Sequence, residues 1–163
     1  MKQTLNLLSK DQSDRIENIL TSDSFPWYFM NFVNSNKDNQ NLNTFNFVHL
    51  FYYRDDGIRS PHFENIIMPL LGHINYNNLI RIKANLFTNR GKKIKFGFHT
   101  DLPNEKHKVA LYSVNTNNGE TGFKNKTFKS IKNSLLLFDG SLEHQSISQT
   151  DTKYRININI DYN

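Results

Sequence analysis

Arg155-Ile156-Asn157-Ile158-Asn159-Ile160-Asp161 alternates strictly between polar and aliphatic side chains. Period two is the pattern of a strand with unlike environments on its two faces. Ile156, Ile158 and Ile160 therefore share one side, opposite Arg155 and Asn157. Ile80-Arg81-Ile82-Lys83-Ala84-Asn85-Leu86-Phe87 repeats the pattern, with Ile80, Ile82, Ala84 and Leu86 on one side and Arg81, Lys83, Asn85 and Phe87 on the other. The aliphatic faces of both strands are expected to pack beneath helices supplied by the N-terminal half, while the polar faces turn into the mouth of a barrel. A polar barrel interior marks a ligand site.

A second stretch supplies chemistry. In Phe96-Gly97-Phe98-His99-Thr100-Asp101, an extended backbone would project His99 and Asp101 to the same side. His144, in Leu137-Phe138-Asp139-Gly140-Ser141-Leu142-Glu143-His144, offers a third ligand. Two imidazoles and one carboxylate on one face of a metal leave the opposite face open, the arrangement suited to non-haem Fe(II) with a co-substrate and oxygen. A structural zinc site would be closed by four ligands, usually with Cys, and the chain contains none. The guanidinium of Arg155, on its alternating strand, is suited to clamp a carboxylate through two parallel hydrogen bonds.

Further segments follow in an order that carries a resemblance. Leu111-Tyr112-Ser113-Val114-Asn115, Asn118-Gly119-Glu120-Thr121-Gly122-Phe123 and Leu135-Leu136-Leu137-Phe138 lie between His99-Thr100-Asp101 and the pair His144 and Arg155. From about residue 81 to 162 the chain resembles the Fe(II)- and 2-oxoglutarate-dependent dioxygenases, specifically the small prolyl-hydroxylase-like branch of bacteria and phages; the first eighty residues carry no part of the likeness. The resemblance implies a double-stranded β-helix, a jelly-roll, cupin-like barrel, mostly β with N-terminal helices packed on the outer face of one sheet. Residues 1–163 would form a single domain, with 1–79 as a helical and β support region and 80–163 as the core.

The same resemblance implies that His99, Asp101 and His144 hold Fe(II), that Arg155 pairs with the distal carboxylate of 2-oxoglutarate, and that O2 is consumed while a substrate C–H bond is hydroxylated and succinate and CO2 leave. Asn85 and Asn157 are secondary candidates for co-substrate contacts, because Asn85-Leu86-Phe87 and Arg155-Ile156-Asn157 resemble two strands of the related alkylation-repair dioxygenases. Phe87 lacks the hydroxyl that a Tyr would offer there, and Asp161 stands where those repair enzymes carry a second Arg, which argues against that branch. Ser113 falls on the co-substrate tyrosine of the family, with Tyr112 beside it on the opposite face; either the strand slips by one residue or that contact is shortened. The Glu120-Thr121 pair receives no catalytic role. A peptide or protein side chain is the favoured substrate, with a free amino acid or modified nucleobase as alternatives. Two other readings are a cupin-like metalloenzyme that does not use 2-oxoglutarate and a non-catalytic barrel that binds a protein or nucleic acid.

Composition bounds these readings. The 163 residues suffice for one core. The 37% hydrophobic, 13% aromatic and 21% charged content is that of a globular protein. A net charge of +5 permits an anionic partner without requiring one, so nucleic acid is not favoured. Without Cys there are no disulfides, thiol nucleophiles or Cys-based zinc sites. The short apolar run near Met1 predicts no signal peptide and no later stretch reaches membrane-spanning length; a cytoplasmic location is expected, that of the host if the source is viral.

Along the chain, Ser9 or Asp11 is expected to cap a helix to about Thr21 with Ile16, Ile19 and Leu20 as its apolar stripe. Phe25-Pro26-Trp27-Tyr28-Phe29 reads as the first strand, at a sheet edge and packed into the core. The stretch 35–43 reads as a loop and Phe45 to Tyr53 as a strand with a packed His49. Asp55-Asp56-Gly57 reads as a turn. Ser60-Pro61 reads as the start of a second helix, with Pro69 kinking or ending it. Arg90 to Lys95 is a basic loop, either a solvated turn or a substrate lid. His107 is expected in solvent, Asn117-Asn118-Gly119 as a hairpin turn, and a buried apolar strand within Ser130 to Phe138.

Overall fold

The computed structural model describes residues 1–33 and 43–163. Eight strands form the larger sheet: β1 (Lys2–Thr4), β2 (Tyr28–Met30), β3 (Asn46–Tyr53), β4 (Gly57–Ile58), β5 (Leu79–Thr88), β6 (Lys108–Ser113), β9 (Ser134–Asp139) and β11 (Tyr154–Tyr162). Their order is β1-β9-β6-β11-β5-β3-β2, with β4 beside β3. The smaller sheet has the order β10-β7-β8, from β7 (Asn117–Phe123), β8 (Lys126–Ser130) and β10 (His144–Ile147). All pairings are antiparallel. The helices are α1 (Lys10–Leu20), α2 (Phe63–Ile66) and α3 (Met68–Leu71).

The two alternating strands are neighbours: β11 pairs with β5, Asn157 opposite Asn85 and Ile158 opposite Ala84. On one face, Ile82, Ala84, Ile156, Ile158 and Ile160 are fully buried in one cluster with Ile16 and Leu20 of α1 and with Phe63, Ile66, Ile67, Leu70 and Leu71. Each such aliphatic side chain contributes about 1.5–3 kcal/mol relative to exposure. Tyr112 joins that cluster, its hydroxyl 3.3 Å from both Ser13 Oγ and Asn133 Oδ1. Strand β6 therefore runs in the register that turns Tyr112 toward α1, with Ser113 opposite Asn157.

Ser9 caps α1 in a reciprocal box with Gln12. The second helix departs from expectation. Its first residue is Phe63, and it gives way to α3 with Pro69 in the first turn of the latter. Ser60 does not cap it, because its hydroxyl bonds His49 Nε2 at 2.7 Å and accepts from the His62 amide at 3.1 Å. His49 is packed, as expected.

The first strand is β1, ahead of the aromatic segment; it covers the edge of β9. The aromatic segment divides: Phe25 is in the core, whereas Tyr28 and Phe29 of edge strand β2 are exposed. Asn117-Asn118-Gly119 is no hairpin turn but the irregular start of β7. Asn117 Oδ1 accepts from the Gly119 amide, and a Cβ on Gly119 would lie 2.7 Å from Arg155 Cδ, so close approach of Arg155 is what this glycine permits. His107 is buried, its ring set against Gly140, which donates its amide to the His107 carbonyl. The expected loop 35–43 lies, except for Asn43, outside the described residues. Among those described, no helix is long and apolar enough to cross a membrane.

Candidate metal and co-substrate site

His99 does not lie on a regular strand. Gly97 adopts φ +82°, which interrupts the ladder, and the segment is pinned at isolated bridges Lys95–Ile147 and His99–His144. Reciprocal amide–carbonyl bonds of 2.9 Å join His99 to His144. The backbone thus brings the two imidazoles together, their centroids 4.6 Å apart. One ligand atom each from His99, Asp101 and His144 lie within 4.8 Å of one another.

The donors suit a divalent cation. Each histidine has its Nδ1 near a backbone carbonyl, Gly97 O at 3.4 Å for His99 and Leu142 O at 3.1 Å for His144, and a proton held there leaves Nε2 as the free lone pair. Asp101 is steadied by Asn159 Nδ2 at 3.1 Å and Arg81 Nη2 at 3.3 Å. Burial opposes its ionised form, but the hydrogen bond to His144 and the charges of Lys83 and Arg81 outweigh it and hold the carboxyl well below the usual range. Burial likewise opposes the His144 cation and is overcome by Asp101, which raises that ring, whereas burial and the neighbouring His144 lower His99. Asp161 is pushed up to about 6 by burial and the Asp101 charge, despite its pairing with Arg81 at 2.8 Å.

Arg155 is 1% exposed. Its Nε donates to Ser130 Oγ at 2.7 Å and an Nη to Thr121 Oγ1 at 3.1 Å, while Nη1 has no partner among the described residues. Burial pulls this guanidinium down to about 10, against the opposing pull of the Glu120 carboxylate. A buried cation with an unused donor can receive an anion. Beside it, Asn85 Nδ2 donates to Asn157 Oδ1 at 2.9 Å. Both Asn residues, Phe87, Thr121 and Leu111 line an inner cleft with His99, Asp101 and His144. An outer cleft of 480 Å³ shares His99 and Asp101 with it and is lined as well by Phe29, Met30, Phe32, Arg81 and Lys83.

No family model matches the chain, and no curated protein matches it. Solved structures do. A 2OG-Fe(II) oxygenase family oxidoreductase from Burkholderia pseudomallei superposes with TM-score 0.66 at 10% identity, over 98% of this chain and 82% of that one. The fold is that of the 2OG-Fe(II) oxygenases. A Trichoplax adhaerens prolyl hydroxylase, solved with a hypoxia inducible factor peptide fragment, gives 0.62 at 17% identity over 99% and 82% of the two chains. The viral collagen prolyl hydroxylase of Paramecium Bursaria Chlorella virus-1 gives 0.59 at 11% identity over 98% and 87%.

Within this oxygenase fold, the six residues singled out from sequence come together: His99, Asp101, His144, Asn85 and Asn157 line one cleft, and Arg155 bonds Thr121 of its wall. Arg81 and Lys83, which the alternation places on the polar face without a role, and Asn159 and Asp161, which continue the polar face of Arg155 and Asn157, also surround the candidate ligands. Thr121, quoted in the resemblance without a role, and Ser130, which carries no signal in the sequence, are the partners of Arg155 and belong to the other sheet. In the basic loop, Arg90 stacks 3.8 Å over Phe45 and Lys93 pairs with Glu120 at 3.9 Å; residues 90–95 line neither cleft.

Proposed function

We propose that this chain is an Fe(II)- and 2-oxoglutarate-dependent dioxygenase that hydroxylates a C–H bond, with a peptidyl, prolyl-like side chain as the favoured substrate. The observation that carries the reading is the Nη1 of buried Arg155, unpartnered among the described residues, on a side chain that bonds Thr121 in the wall of the cleft lined by His99, Asp101 and His144. A metalloenzyme of the cupin type that does without a diacid has no use for that cation. One domain over residues 1–163, closed as a double-stranded β-helix with the helices on the outer face of the larger sheet, belongs to the same proposal; the core shared by residues on both sides of residue 80 supports it. So does cytoplasmic residence, with which a chain free of Cys accords.

In this reading His99, Asp101 and His144 hold Fe(II), and Arg155 receives the distal carboxylate of 2-oxoglutarate. With O2, the bound iron and co-substrate supply the oxidation, releasing succinate and CO2. The chain's own part is positional. The two Nδ1–carbonyl contacts fix the imidazole tautomers, and Asn159 with Arg81 aims the Asp101 carboxylate. The Asn85–Asn157 pair presents amide groups along the co-substrate, while Phe87 and Leu111 keep water from the inner cleft. CO2 release from carboxyl-labelled 2-oxoglutarate tests this. It should require Fe(II) and be abolished by a chelator and in His99→Ala and Asp101→Ala; retained turnover in either variant would exclude these ligands.

A further inference from the structure

The outer cleft combines two chemistries. Phe29 and Phe32 keep 54% and 49% of their surface in water and Met30 keeps 44%, an apolar wall on the rim of a polar site. Lys83 lines this outer cleft and, like His99 and Asp101, the inner one as well. Among the described residues its ammonium has neither a hydrogen-bond acceptor nor a carboxylate within ion-pair distance, although its strand neighbours Arg81 and Asp161 are paired with each other. Asp101 and Asp161 act on Lys83 from beyond ion-pair distance, both being paired with Arg81, while burial and the Arg81 charge pull its pKa down; among the described residues it has no direct counter-ion.

We infer that Lys83 is a specificity-determining residue that receives a carboxylate of the substrate, whose neighbouring apolar group lies against Phe29, Met30 and Phe32. The inference rests on the proposed function, because it takes the outer cleft as the way to the metal. It narrows the substrate to one that carries a carboxylate next to a hydrophobic group, as a peptide does when an acidic residue or its C-terminus lies near the side chain to be hydroxylated. A sequestered ammonium gains a charge-assisted hydrogen bond from such a group and nothing comparable from a neutral one.

The test uses 3-phenylpropionate and its uncharged isostere 3-phenylpropanamide, titrated by NMR into the protein loaded with zinc(II) and 2-oxoglutarate. The acid is expected to bind wild type about tenfold more tightly than the amide. Lys83→Met should erase that preference, Lys83→Arg should keep most of it, and Lys93→Met in the basic loop should leave it intact. Equal binding of acid and amide to wild type would overturn the inference and assign Lys83 to the free oxygen of Asp161; so would an acid preference that survives in Lys83→Met. Binding of 2-oxoglutarate is read first by calorimetry. Its absence would overturn the proposed function alone, since the acid–amide comparison then proceeds on metal-free protein, where no metal can take the carboxylate. Chemical-shift changes centred on Phe29 and Phe32 separate this cleft from a surface site, and their absence also overturns the inference.

Discussion

Among the described residues, buried Arg155 has two hydroxyl acceptors and an unpartnered Nη1, so without a bound anion its charge works against stability. Arg155→Met is therefore expected to lose 2-oxoglutarate binding while the ligand-free protein melts at or above the wild-type temperature, read by calorimetry and thermal denaturation. A marked fall in melting temperature would show that the guanidinium is structural. His49 makes the opposite case, a polar ring with both nitrogens engaged, Nδ1 with Pro26 O at 2.8 Å and Nε2 with Ser60 Oγ. Burial lowers its pKa from the ordinary 6.5. Above that value both the folded and unfolded chains hold the neutral ring; below it the unfolded chain takes a proton that the folded ring refuses, so stability falls as pH drops through 6.5 toward the folded value. In His49→Gln the loss of urea stability between about pH 7.5 and 5.5 should be shallower than in wild type.

Among the elements, α1 owes its start to the Ser9–Gln12 box, and Ser9→Ala should cost about 1 kcal/mol, or about 2–4 °C in melting temperature for a chain of this size. The glycines of β7 and of the turn after β9 separate function from stability. On Gly119 a Cβ would meet Arg155 Cδ at 2.7 Å and Ile147 O at 3.0 Å; Gly119→Ala should push the guanidinium off its seat and weaken 2-oxoglutarate binding by about tenfold or more. On Gly140 the Cβ would lie 2.2 Å from His107 Nε2, and that ring is held through Nδ1 by Glu105 O at 2.8 Å. Gly140→Ala should therefore lose about 1–3 kcal/mol of stability, seen in urea denaturation.

For the molecule as a whole, the site joins the two sheets. His144 comes from the smaller sheet, Arg155, Asn85 and Asn157 from the larger, and the His99 segment is bonded to His144. Ligands that span such a junction stabilise the folded state by mass action. Metal with 2-oxoglutarate at about a hundred times the dissociation constant should add about 2.7 kcal/mol, about 5–10 °C in melting temperature. Hydrogen exchange should slow at residues 95–101 and 144–147 together. Protection of only one of the two segments would mean that the ligand does not bridge them.

What the sequence determined by itself is written in its periodicities. The alternation in Ile80–Phe87 and Arg155–Asp161 stated which side chains leave the core, because period two is a property of the extended backbone and needs no tertiary information. The ordered His99, Asp101, His144 and Arg155 pointed to a candidate metal and anion site for a similar reason, since what a side chain can ligate follows from its identity. The tertiary structure alone decided the rest. The acceptors of Arg155 on another sheet, the burial of His107 against Gly140 and the exposure of Phe29 beside Lys83 all depend on approach between segments distant in the chain. Such approach is set by packing of the complete core, and no local pattern of residues encodes it.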